Sequence, residues 1–74
     1  MHIGSKIENV FRSQGRTPIW VAQKLNTVRV NVYDIFKRPS VDTALLMKIS
    51  ALLEYDFFEE LSHELHTEES LHAS

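Results

Sequence analysis

Apolar residues recur along the chain at spacings of three and four, with polar residues between them. Ile3, Ile7, Val10 and Phe11 fall on one stripe of a helix, and Gly15 stands where a left-handed residue would end it. Thr17 followed by Pro18 reads as an N-cap and a first helical position. The helix they open buries Val21, Ala22 and Leu25, and Asn26, which tolerates positive φ almost as glycine does, closes it. Ser40 or Asp42 caps a later helix carrying Leu45, Leu46, Ile49, Leu52 and Leu53. Asp56 with Glu59 three residues on has the spacing of a capping box, and Phe57, Phe58, Leu61 and Leu65 follow. The ending HTEESLHAS is polar and uncapped, so residues 66–74 are expected to form a disordered tail.

Between these segments, NTVRVNVYDIFKR (residues 26–38) alternates apolar and polar residues in the manner of a strand. A strand there would stand alone among four helices, with nothing to pair with. Wound as a helix, the stretch sorts itself: Val28, Val32, Ile35 and Phe36 fall on one side, Arg29, Val30, Tyr33, Asp34 and Lys37 on the other. A helix is therefore expected, the tertiary setting overriding the β-propensity of the valines. Five helices and no sheet make an all-α domain over residues 3–65. Two short helices joined by a tight turn, the second with a basic polar face, form a helix-turn-helix unit.

Composition narrows the function. A chain of 74 residues is one small domain, near the size at which a single core just suffices. It has no cysteine, hence no disulfide framework and no thiolate zinc site. No apolar run is long enough to span a bilayer and MHIGSKIENV lacks the apolar core of a secretion signal, so a cytoplasmic protein with no membrane partner is expected. The formal charge of −2 conceals a division. Residues 1–38 carry seven Lys and Arg against Glu8 and Asp34, a balance of +5, whereas residues 39–74 carry Lys48 against eight acids, a balance of −7. Such asymmetry points to a polyanion-binding face.

His63 and His66 stand three apart beside Glu60 and Glu64, but a metal needs further ligands and supporting groups, so they read as solvent-exposed histidines. There is no glycine-rich phosphate loop and no cysteine nucleophile, and the histidines are confined to the termini. No catalytic residues, cofactor, metal or small-molecule ligand are expected.

The segment PIWVAQKLNTVRVNVYDIFKR, continued by RPSVDTALLMKISALLEYDFF, resembles the lambda-repressor-like, Cro-type (XRE) family of helix-turn-helix DNA-binding domains. Val21, Ala22, Leu25, Val32 and Ile35 fall on the family's buried positions, Ala22 being small where the two helices approach closest. The resemblance covers roughly residues 3–65. It implies a five-helix lambda-repressor-like domain and a sequence-specific transcriptional regulator of double-stranded DNA, with the helix near residues 28–37 in the major groove. Arg29, Val30 and Asp34 occupy the base-reading positions: Arg29 matches guanine O6 and N7, Val30 a thymine methyl, and Asp34 either accepts from cytosine N4 or repels unwanted sequences. Thr17, Lys24, Asn31, Tyr33, Lys37 and Arg38 are assigned to the sugar-phosphate backbone. Family members commonly pair to span half-sites about 34 Å apart, and Phe57, Phe58, Leu61 and Leu65 are the expected homodimer surface.

The chain departs from the family pattern at three places. Asn26 stands where the turn usually has glycine, and Pro18 replaces a polar first residue that often touches phosphate. Thr27-Val28 reverses the usual apolar-then-polar order, so either Thr27 caps a helix that starts one residue early or Val28 leaves it uncapped. Asp34 and Lys37, three apart, are placed for a local ion pair, and Trp20 is expected against a neighbouring helix rather than on DNA. The alternative function is a protein-interaction module, such as an antitoxin-like accessory subunit, using the apolar and acidic C-terminal half. Fold alone does not separate the two.

Overall fold

The computed structural model describes the backbone of residues 1–73 and the side-chain surroundings of residues 1–66. The chain is all-α: α1 (Ile3–Ser13), α2 (Pro18–Lys24), α3 (Arg29–Lys37), α4 (Thr43–Leu53) and α5 (Phe57–Ala73) follow one another, and the described residues contain no strand. No helix among them is long and apolar enough to cross a membrane. The backbone of α5 runs to Ala73, through most of the stretch 66–74 expected as a disordered tail, and the side chains of residues 67–74 lie outside those described.

Local chemistry sets the helix ends. Thr17 Oγ1 accepts from the Trp20 N–H at 3.1 Å, and Pro18 takes the first helical position, where a missing N–H costs nothing. Of the two candidates for α4, Asp42 is the cap, accepting from the Leu45 N–H at 2.8 Å. Asp56 accepts from the Glu59 N–H at 3.1 Å at the start of α5, and His2 Nδ1 from the Ser5 N–H at 3.1 Å at the start of α1. Gly15 (φ 68°) and Asn26 (φ 56°) turn the chain left-handed where their side chains predict it, while Glu54 (φ 51°) does so after α4 without a sequence signal.

Helix α3 is the exception. Its N-cap is Val28, in extended conformation and without a side-chain hydrogen bond. Thr27 Oγ1 instead accepts from Asn31 Nδ2 at 2.6 Å. Relative to a polar cap, Val28 costs about 1 kcal/mol. Because Val28 precedes the helix, it does not share the helical period, and it is 61 % exposed rather than on the buried side where the sequence pattern placed it.

Helix α3 packs against both α1 and α2. Val32, 1 % exposed, lies at the centre of the core with Ile35 and Phe36, and the Phe36 ring meets Phe11 of α1 at 5.3 Å between centroids. Val21 and Ala22 contribute from α2, and Leu46, Ile49 and Leu53 from α4. Phe57 corrects another expectation. Read as part of a dimer surface, it is 0 % exposed and fills the chain's own core, its ring 4.8 Å from that of Tyr55.

The start of α1 and the end of α3 complete each other. The Ile3 N–H donates to the Pro39 carbonyl at 3.0 Å and the Gly4 N–H to the Arg38 carbonyl at 2.8 Å. Donors orphaned at one helix start thereby satisfy acceptors left over at another helix end. A Cβ at residue 4 would strike the carbonyl oxygens of Ile35, Phe36 and Arg38, so this approach requires glycine.

Candidate nucleic-acid interface

Burial of Val32, Ile35 and Phe36 fixes which side of α3 faces outward. Arg29, Val30, Tyr33, Asp34 and Lys37 are all exposed, within an arc of about 140° at about 100° per residue. Tyr33 leans edge-on against Phe36, with 6.3 Å between ring centroids, and remains exposed. Asn31 and Arg38 continue the exposed surface beyond that arc.

Ion pairing divides the cations of the amino-terminal half. Lys6 pairs with Glu60 at 2.9 Å, Arg12 with Glu8 at 2.8 Å, and Arg38 with Asp34 at 2.6 Å. Arg16, Lys24, Arg29 and Lys37 have no carboxylate within ion-pairing distance among the described residues. The Asp34 pair differs from the one expected. Asp34 Oδ2 accepts from Arg38 Nε at 3.0 Å and Nη2 at 2.6 Å, because the forked guanidinium four residues on grips one carboxylate twice, which the Lys37 ammonium cannot. Lys37 is thereby left to solvent, and the charges of Arg38 and Asp34 offset each other. Asn31 is likewise engaged by Thr27. Thr17 accepts in its capping bond and keeps a hydroxyl proton to donate.

Helix α2 adds a feature the sequence reading passed over. Arg16, Trp20 and Lys24 recur four residues apart, with the Arg16 guanidinium 4.3 Å and the Lys24 ammonium 6.0 Å from the centre of the Trp20 ring. The indole is half-buried against the core and its ring attracts both cations. The four-residue spacing was the available signal for Arg16. Lys48 of α4 lines the same surface depression as Lys24 and Asn26, so the one cation of the acidic half joins the basic side.

On α5, Phe58 and Leu65 are exposed and Leu61 is half-buried against the core. With Phe57 inside, they are what is left of the apolar surface read as a dimer contact. His63 and His66 are exposed, and no group of three or more potential ligands is placed to hold a metal among the described residues. No family model matches the chain, and no curated protein or solved structure matches it either.

Proposed function

We propose that the chain is a sequence-specific transcriptional regulator that binds double-stranded DNA through a lambda-repressor-like helix-turn-helix formed by α2 and α3. The observation that carries this reading is α3. One face is locked into the core by Val32, Ile35 and Phe36, and the other presents Arg29 and Lys37 with no acidic partner to neutralise them. An α-helix with its side chains is about 10–12 Å across, matched to a major groove about 12 Å wide. Arg29 reads guanine through its fork, and Val30 meets a thymine methyl. Lys37 and Lys24, with Tyr33 and Thr17, hold phosphates and release counterions. Asp34 reads a base only by giving up Arg38, and so acts chiefly to offset that cation. A second copy, docked through Phe58 and Leu65, supplies the other half-site about 34 Å away.

Selection of bound duplexes from a random pool tests the proposal. A recovered consensus bound about 10³-fold or more above scrambled DNA supports it; no enrichment overturns it. One observation favours the alternative, a protein-interaction module: Phe58 and Leu65 lie exposed on a helix rich in acids. On that reading α3 substitutions leave the activity intact and α5 substitutions abolish it.

A further inference from the structure

We infer that the DNA held by α3 is recognised through thymine C5-methyl groups on both sides of the base pair read by Arg29, with Val28 and Val30 as the contacting side chains. This inference rests on the DNA-binding reading above and specifies what that surface reads. Val30 is 72 % exposed and Val28 61 %, and they bracket Arg29 in the chain. Position 28 is where a polar side chain would stabilise the helix. The starts of α1, α2, α4 and α5 each have a side chain accepting from the N–H three residues on, and α3 has none. An apolar residue that serves neither local stability nor solubility breaks the local rule, as residues at functional sites do.

The neighbouring charge selects the partner. Arg29 between the two valines and Lys37 further along have no carboxylate partners, which fits a polyanion and opposes an apolar peptide. The apolar group that DNA presents in its major groove is the thymine methyl. Beside the two valines, Asn31 Nδ2 is already bonded to Thr27 and Asp34 Oδ2 to Arg38, whereas the Arg29 fork between the valines has no partner among the described residues. With Arg29 helical, Val28 and Val30 stand about 5.4 Å apart at Cα, between one and two base-pair steps. The valines therefore straddle the guanine that Arg29 reads.

Deoxyuridine in place of thymine removes the methyl and leaves every hydrogen-bonding group in place. In a duplex selected by the full chain, each thymine is replaced singly. The expected result is a loss of about four-fold at each of two thymines flanking the guanine, the factor for burying one methyl. Val30→Ala removes the preference for thymine at one of them and Val28→Ala at the other, with thermal melting followed by circular dichroism confirming that both variants fold. Equal binding of thymine and deoxyuridine throughout the site overturns the inference while leaving DNA binding intact. So does a preference that survives in both variants. Failure to bind any duplex removes the DNA reading and this inference with it, and the thymine duplex alone tells the two failures apart.

Discussion

Helices α3 and α5 each bury one face in the same core and leave apolar side chains in water on the other, in surroundings of opposite sign. On α3, Val30 and Tyr33 lie among Arg29 and Lys37, which have no acidic partner among the described residues. On α5, Phe58 and Leu65 have Glu59, likewise unpaired, beside them, while Glu60 and Glu64 are paired with Lys6 and the Met1 amine. Exposure alone does not tell one surface from the other. Charge does: phosphate is attracted to Arg29 and Lys37 on the first and repelled by Glu59 on the second, and two copies meeting through the second bring their Glu59 side chains together. Salt therefore acts on the two surfaces in opposite directions. Screening weakens DNA binding at α3 and strengthens self-association at α5, and sedimentation and DNA titrations across one salt series would expose both trends.

The sharpest way to separate buried from exposed on α5 uses its adjacent phenylalanines. Phe57→Ala should cost about 3–5 kcal/mol and unfold much of the protein at ordinary temperature, whereas Phe58→Ala should cost under about 1 kcal/mol and act on self-association. Thermal melts showing equal losses would erase the distinction. On α3, Arg29→Ala should cost about 1–3 kcal/mol on the selected site and relax preference at one position. Lys37→Ala should weaken all sequences alike and lower the salt slope by about 0.9. An Arg29→Ala variant that loses equally on selected and scrambled duplexes would reverse that assignment.

Smaller effects test the start and end of α3. Val28→Ser supplies the missing cap and should stabilise the fold by about 1 kcal/mol, a rise of roughly 4–8 °C in Tm, while weakening binding to the selected site. No gain in melting temperature would mean that the first turn of α3 is satisfied in another way. Asp34→Asn should change stability by less than about 0.5 kcal/mol. It frees Arg38 for phosphate, so the salt slope should steepen by about 0.9; an unchanged slope would show that Arg38 does not reach DNA.

Much of the fold was legible because its determinants are local. Thr17, Asp42 and Asp56 act within three residues of themselves, Gly15 and Asn26 declare left-handed turns, and the spacing of Val32, Ile35 and Phe36 identifies a buried face. What escaped depends on a register of one residue or on distant partners. Whether Val28 lies inside α3 or just before it decides between burial and exposure, and the Thr27–Asn31 bond that accompanies the later start is not encoded in periodicity. Asp34 had two cations in reach, and guanidinium geometry chose between them. Phe57 and Phe58 are alike in composition, and which of the two, about 100° apart around α5, faces the core is set by how α5 packs on the other helices. Gly4 gave no sign at all, since the carbonyls that demand it are more than thirty residues further along.

That close approach at Gly4 also determines where the backbone resists solvent exchange. Amides in the first turn of a helix ordinarily exchange quickly, because the turn frays without disturbing anything else. The amides of Ile3 and Gly4 are tied to carbonyls beyond the end of α3, and opening them requires α1 to leave α3 and the core they share. Their deuterium uptake should therefore follow global unfolding and match that of Val32. The next amide, of Ser5, is held by the exposed ring of His2 and should exchange orders of magnitude sooner. A protection step between two adjacent residues, slow before fast, would make the edge of α1 a reporter on the stability of the whole domain.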